Sequence, residues 1–271
     1  MITSVQNRRV KDAARLRERR GRQQQGRIII DGARELLRAI DAGVELIEVF
    51  VYEPFCQSEA SREVLERLRG DALQVISVTE AVFTRIAFGE RAEGVVGVAT
   101  TPRAALADLV LPDGPLVAVL EGVEKPGNIG AILRSADAAG VSALITTGSG
   151  TDLYNPNCIR ASLGTVFTMP VCEAPAADVL CWLNEKYLTV YAAMVDAPLP
   201  YTEANFSGPA AIVLGSETTG LSTDWRQEKV TPISLPMLGA ADSLNVSATA
   251  AVLFYEALRQ RQANPPAKAG G

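Results

Sequence analysis

Apolar positions along the chain fall into two series of short alternating elements, separated by a polar break. In the first series, residues 4–25 predict one basic helix, followed by the short apolar run RIIID (27–31). Residues 33–42 have helical spacing at Leu36, Leu37 and Ile40, and LIEVFVY (46–52) alternates as a strand does. A helix over 58–69, a strand at LQVISV (73–78), a helix over 79–87 and a strand at VVGVAT (95–100) complete the series. Alternating β and α segments of this length predict a small α/β domain over residues 1–100.

Residues 101–114 carry turn residues at both ends and read as a linker. Past it the strands become more apolar: LVAVL (116–120), ALITT (143–147), VFTMPV (166–171), LTVYAAM (188–194), AAIVLG (210–215) and ISLPM (233–237). Helical patterns fill most gaps, most clearly at 128–139, 176–186 and 246–262. Near-continuous apolar strands separated by helices predict a buried parallel sheet over 115–263. Ligands of such sheets bind in the loops that follow the strands. The tail, 264–271, has the composition of a disordered segment.

Composition narrows the chemistry. No run of about 18 apolar residues is present, so a membrane-spanning helix is not expected. The N-terminus lacks the apolar core of a secretory signal, which makes the cytoplasm the expected compartment. Cys56, Cys158, Cys172 and Cys181 lie far apart without a CxxC pair, and read as reduced small hydrophobes. The absence of histidine removes Ser-His-Asp, Cys-His and His-ligated metal chemistry, and no metal is expected. Carboxylates, arginines, hydroxyls, amides or a reactive cofactor must serve instead.

Charge is uneven. Residues 1–27 hold nine basic groups against Asp12 and Glu18, a balance of +7, which leaves −12 on the rest of a chain whose net charge is −5. An arginine-rich start on an acidic body fits either local grip on a phosphate-rich partner or a solvated, charged first helix. Arg8, Arg9, Lys11, Arg15, Arg19, Arg20 and Arg22 are the candidate phosphate contacts.

Three strand-following loops carry the candidate chemistry. In EKPGNIGAILRSADAAG (124–140), Asn128 is placed to cap a helix whose stripe Ile129, Ile132, Leu133 and Ala136 is buried, leaving Arg134 for another face. Alone, the loop reads more readily as a capped helix with a surface charge than as a site. VLGSETTGLS (213–222) is Gly-rich but is neither GxGxxG nor a phosphate loop. Its Glu217 would repel pyrophosphate and suits a ligand bearing amine, hydroxyl or sulfonium groups, or else caps the next helix. ISLPMLGAADSLNVSATAAVLFYEALRQRQ (233–262) has Pro236 ending a strand and Ser243 or Asn245 capping the last helix. The helix's apolar face is Ala250, Leu253, Phe254, Ala257 and Leu258.

Taken in order, N-x-G-A-x-x-R-S-A, L-G-S-E-x-x-G-L-S and I-x-L-P-M…S-L-N-V-S resemble the three motifs of the SpoU (TrmH-type) ribose 2′-O-methyltransferases of the SPOUT superfamily. The first hundred residues are similar to the L30e-like RNA-binding domain found ahead of the catalytic domain in many members.

The resemblance implies a parallel-sheet domain with a deep trefoil knot, preceded by the smaller L30e-like domain. It implies S-adenosyl-L-methionine as cofactor, held by Leu214, Gly215, Ser216, Gly220, Leu235, Met237, Ser243, Leu244 and Asn245, with Thr146 or Thr147 at an earlier strand end. Arg134 would help activate the 2′-hydroxyl, with Asn128, Glu217, Ser243 and Asn245 orienting the groups. Because arginine is a poor base, binding of phosphate or developing alkoxide is the alternative role for Arg134. The expected partners are RNA, with ribosomal RNA favoured over transfer RNA by the large N-terminal domain, and a second copy of the chain. An RNA-binding assembly factor that lost catalysis is the alternative from another class; the intact motif residues oppose it. A Rossmann-type nucleotide enzyme is opposed by the missing GxGxxG and by Glu217.

Overall fold

The computed structural model describes residues 1–69, 74–88, 93–148 and 150–263, so the 264–271 tail lies outside the described residues. By contact the chain divides into two compact units: Met1–Pro102 with Asp152–Thr168, and Arg103–Thr151 with the chain from Met169 onward.

The first unit begins with α1 (Arg8–Arg15) and α2 (Arg19–Gln25), where one continuous helix was expected. The break has a packing cause. The buried Arg22 guanidinium donates to the Leu16 carbonyl at 2.7 Å. A Cβ at residue 21 would lie 2.0 Å from the Arg15 carbonyl oxygen, so only glycine lets α2 approach the end of α1 this closely.

Then follow β1 (Arg27–Asp31), α3 (Ala33–Asp41), β2 (Leu46–Val51), α4 (Glu59–Arg67), β3 (Gln74–Ser77), α5 (Glu80–Ile86) and β4 (Val95–Thr100). The four strands form one sheet in the order β1-β4-β2-β3, with only β2 and β3 parallel. Val10, Leu16, Ile29, Phe50, Phe83 and Val98 are part of its core.

The second unit starts inside the expected linker. Leu109 is buried in its core, with Leu106 and Leu111 packed against it, so apolar anchoring replaces a free connection. Next come β5 (Leu116–Glu121), α6 (Pro126–Ala138) and β6 (Ala143–Thr147). The chain then contributes α7 (Pro156–Ala161) and α8 (Thr165–Thr168) to the first unit. Three contacts fasten that segment: Arg22 with Asp152, Arg160 with Asp31 at 3.4 Å, and Arg38 with the Leu163 carbonyl.

The strand expected at 166–171 is therefore helix over 166–168. A left-handed φ of 55° at Leu163 turns the chain, and Thr165 Oγ1 donates to the Ser162 carbonyl at 3.0 Å, which favours a turn over extension. Only β7 (Val171–Glu173) is extended there.

After α9 (Ala176–Glu185), β8 (Thr189–Ala193), the short β9 (Leu199–Pro200), β10 (Ala210–Leu214) and β11 (Val230–Ser234), the described chain ends in α10 (Val246–Ala263). Seven strands form a sheet in the order β7-β6-β5-β10-β8-β11-β9, each paired neighbour parallel. Residues 116–120, 143–147 and 210–214 are all buried, as a sheet covered on both faces requires. Because the strands run one way, Glu121, Ala193, Leu214 and Ser234 end at the same edge, and the loops that follow them meet there.

Helix α10 packs on α6 and β10, burying Ala250, Leu253, Phe254 and Ala257. Leu258, expected on the same face, is half-buried. The Arg261 guanidinium ties the end of α10 to the carbonyls of Phe206, Gly114, Pro115 and Gly208 at 2.6–3.1 Å. Among the described residues no helix is long and apolar enough to cross a membrane.

Candidate functional site

Three loops converge on Glu217. Asn128 Nδ2 donates to Glu217 Oε1 at 2.8 Å, and Asn245 Nδ2 donates to the same oxygen at 2.7 Å. The Lys125 ammonium is ion-paired with Oε2. Asn245 Nδ2 also lies 3.3 Å from Asn128 Oδ1. One residue from each motif thus enters a single hydrogen-bonded cluster, across sequence separations of 89 and 117 residues.

Local structure places each member. Pro126 occupies the first turn of α6 and Lys125 its cap position, so Asn128 lies inside the helix and does not cap it as expected. The Asn128 side chain is free to reach across to Glu217. Asn245 does cap: its Oδ1 accepts the Ser247 N–H at 2.9 Å, starting α10. Through Asn245, Glu217 is tied to the start of α10.

The Lys125 ammonium holds the Glu217 carboxyl below its ordinary range. The Val246 N–H and the Asn128 amide add to this, and partial burial opposes it. Glu217 is therefore a carboxylate near neutral pH, suited to accepting hydrogen bonds and little suited to taking a proton.

The turn that carries Glu217 is tight. Ser216 and Gly220 form a bridge, with Gly220 N–H donating to Ser216 O at 2.9 Å. A Cβ at residue 215 would sit 2.5 Å from the Gly220 carbonyl carbon, and residue 220 has a φ of 67°, so both positions demand glycine. Bare backbone is thereby presented to either side of the turn.

Two clefts share this turn. One, of about 500 Å³, is lined by Leu214, Gly215, Ser216, Gly220, Leu235, Met237, Ser243 and Leu244, together with Met194, Asp196, Arg226 and Asp242. The other, of about 460 Å³, is lined by Glu121, Lys125, Asn128, Thr218, Thr219 and Ser222 among others. Glu121 closes its far side by accepting from the Ser222 N–H and hydroxyl at 2.7 and 2.8 Å.

Eight of the expected cofactor residues therefore line one cleft, and Asn245 stands in the cluster at its lip. Thr146 and Thr147 do not reach it. They are buried in β6, separated from β10 by β5, and Thr146 Oγ1 bonds to the Cys172 carbonyl. Arg134 lies on neither cleft wall. It is exposed on α6, six residues and so about 9 Å of helix rise from Asn128, on a different face.

Lys125, Glu121, Ser222, Asp196, Asp242 and Arg226 were not singled out from sequence. Ser222 closes the second motif, Lys125 and Glu121 lie just ahead of the first, and Asp196 follows a parallel strand. The rule that ligands bind past strand ends points to all four.

In the N-terminal unit the expected phosphate contacts divide. Arg22 is 5% exposed and engaged with Asp152 and Leu16, so it is structural. Arg9 pairs with the buried Glu48 at 3.3 Å. Arg8, Lys11, Arg15, Arg19 and Arg20 are exposed. Arg17 lies over the Phe88 ring, 5.6 Å from its centroid. All four cysteines are free; burial raises the Cys172 thiol to about 11 and the Cys158 thiol further. Among the described residues no group of three or more His, Cys, Asp or Glu could hold a metal ion.

A profile of the SpoU rRNA Methylase family matches residues 115–255, and one of the MRM3-like substrate binding domain matches residues 7–97. The 23S rRNA (uridine(2479)-2′-O)-methyltransferase of Streptomyces viridochromogenes is 30% identical over 92% of this chain and 88% of its own length. A crystal structure of an RNA 2′-O ribose methyltransferase is 42% identical, covers 96% of this chain and 99% of that one, and superposes with a TM-score of 0.83. The AdoMet-bound rRNA methyltransferase from Sinorhizobium meliloti is 28% identical, covers 95% and 97%, and gives a TM-score of 0.86.

Proposed function

The chain belongs to the SpoU rRNA Methylase family, and from that membership we propose that it transfers a methyl group from S-adenosyl-L-methionine to a ribose 2′-hydroxyl of ribosomal RNA. The observation that carries the reading is the meeting of Asn128, Glu217 and Asn245 at the lip of a cleft of about 500 Å³.

The cleft fits the cofactor by its chemistry. Its volume lies in the range of small-ligand sites, about 300–1,000 Å³. Leu214, Leu235, Met237 and Leu244 offer apolar walls for a flat ring, and the Gly215–Gly220 turn offers backbone that no side chain shields. The cofactor supplies an electrophilic methyl on a sulfonium centre. The protein supplies position, worth about 7–11 kcal/mol in well-oriented systems. Glu217, fixed from three sides, and Asn245, fixed by its cap to α10, hold the turn between the two clefts rigid. The second cleft, sharing the Ser216–Gly220 wall, takes the target nucleoside, with Lys125 and Asn128 in reach of its polar groups.

Arg134 stands off both clefts and, among the described residues, has no ion pair. We assign it to a phosphate or to the developing alkoxide of RNA bound against α6, since a guanidinium is too weak a base to take the hydroxyl proton. Arg8, Lys11, Arg15, Arg19 and Arg20 add a salt-sensitive grip on the RNA backbone. The parallel sheet is taken to be threaded as the trefoil knot of the SPOUT fold. The chain is taken to act as a cytoplasmic homodimer, with Tyr255, 51% exposed on α10, available to a second copy.

The test is transfer of labelled methyl from S-adenosyl-L-methionine to total RNA of a strain lacking the protein, fractionated and nuclease-mapped. Label in ribosomal RNA as an alkali-resistant dinucleotide is expected. Label confined to transfer RNA, or to a base, overturns the assignment.

A further inference from the structure

The cofactor cleft does not end at its own walls. A neighbouring pocket of about 320 Å³ shares three residues with it: Met194, Asp196 and Arg226. Two of the three carry opposite charges. Both are exposed, and among the described residues neither makes an ion pair or a side-chain hydrogen bond. Arg226 is the one basic side chain on the described wall of the cofactor cleft. Its backbone is held in place, because Trp225 before it is 1% exposed and Arg226 N–H closes a turn onto the Thr223 carbonyl at 3.0 Å.

Trp225 also lines the neighbouring pocket, and its indole Nε1 is buried with no hydrogen-bond partner among the described residues. Buried donors are nearly always satisfied, so an acceptor from a ligand or water belongs against it.

We propose that Asp196 and Arg226 together read an α-amino-acid zwitterion: the methionyl arm of the cofactor runs from the main cleft into the adjoining pocket, its carboxylate on Arg226 and its ammonium on Asp196. This rests on the reading above that the cleft takes S-adenosyl-L-methionine. Adenine and ribose contacts alone would bind any 5′-thioether or 5′-sulfonium of adenosine. An oppositely charged pair at the far end selects those that keep both charged groups of the amino acid, since each lost charge leaves its partner unmatched.

The test is calorimetric titration of the wild-type protein and its variants with four ligands: S-adenosylmethionine, S-adenosylhomocysteine, decarboxylated S-adenosylmethionine and 5′-methylthioadenosine. Arg226→Gln is expected to weaken the first two roughly 10- to 100-fold and to leave the two that lack a carboxylate unchanged. Arg226→Lys should restore part of the loss. Asp196→Asn is expected to weaken every ligand that bears the ammonium and to leave 5′-methylthioadenosine unchanged. The proposal is overturned if Arg226→Gln weakens 5′-methylthioadenosine as much as S-adenosylmethionine, or weakens neither. If the wild-type protein binds none of the four, the cofactor reading itself fails. If it binds 5′-methylthioadenosine as tightly as S-adenosylmethionine, that reading stands and only the zwitterion assignment falls.

Discussion

Asn245 divides its amide between two tasks: Oδ1 accepts the Ser247 N–H at 2.9 Å and begins α10, while Nδ2 donates to Glu217 Oε1 at 2.7 Å. The helix that closes the described chain and the turn that separates the two clefts are therefore fixed by one side chain. The two tasks can be pulled apart by substitution. Asn245→Asp keeps an oxygen for the cap but loses the donor and sets a carboxylate beside Glu217. Asn245→Ala loses both.

We expect Asn245→Ala to lower unfolding free energy by about 1 kcal/mol, the usual worth of an N-cap, and Asn245→Asp to lower it by less. Both should reduce methyl transfer at least about tenfold, a rise of about 1.4 kcal/mol in the barrier. Thermal unfolding beside single-turnover methylation checks this. Normal turnover in Asn245→Asp would show that the link to Glu217 has no part in the chemistry.

Glu217 predicts an acid limb and nothing near neutrality. Its folded-state carboxyl is depressed, chiefly by Lys125. Such a group stabilises the fold fully above its unfolded value of about 4.3, and the contribution disappears as pH falls through the lower folded value. The stability difference between wild type and Glu217→Gln should be constant from pH 6 to 8 and shrink in acid below about pH 4. A difference that grew toward low pH would mean that the carboxyl is raised in the fold. By the same argument, no inflection in the pH–rate profile between pH 6 and 8 belongs to Glu217.

Period and burial made the sheet readable: residues 116–120 and 210–214 are unbroken apolar runs, 143–147 is apolar up to its two threonines, and all three are buried throughout. The segment 152–168 was not readable that way. VFTMPV has strand composition, but the preceding Leu163 turn and the Ser162 and Thr165 hydroxyls decide its conformation, and its ion partners Arg22 and Asp31 lie more than a hundred residues earlier. Likewise the basic N-terminal stretch reads as one helix until the buried Arg22 and the close approach at Gly21 are known. At the site, the residue types carried Asn128, Glu217 and Asn245. Lys125 and Arg226 acquire meaning only from what folds against them, and Thr146 and Thr147 lose theirs because β5 stands between β6 and β10.

Arg134 tests activity without stability. It is exposed, and among the described residues it makes no ion pair, so Arg134→Ala should shift unfolding free energy by no more than about 0.5 kcal/mol. Methylation should fall by roughly a hundredfold or more, and binding of S-adenosyl-L-methionine, measured calorimetrically, should stay as in wild type. If cofactor affinity fell instead, the side chain would belong to the cofactor cleft in solution and the phosphate or alkoxide role would be wrong.

The N-terminal arginines should separate into two classes on one pair of measurements. Arg22 is buried and ion-paired with Asp152, itself 20% exposed on its side chain, so Arg22→Gln leaves a largely buried carboxylate without its partner. Breaking such pairs costs about 3–5 kcal/mol when both groups are buried, and the partial exposure of Asp152 places this one nearer about 2–3 kcal/mol. Lys11 and Arg20 are exposed, and neither has a described ion pair. The double variant Lys11→Gln/Arg20→Gln should therefore unfold as wild type does while losing RNA affinity. If both residues meet phosphate, the slope of log affinity against log salt should fall by about 1.4–1.8, depending on whether the RNA is single- or double-stranded. An unchanged slope would remove the exposed face of α1 and α2 from the RNA interface. An Arg22→Gln protein of normal stability would mean that the guanidinium is free to face the nucleic acid after all.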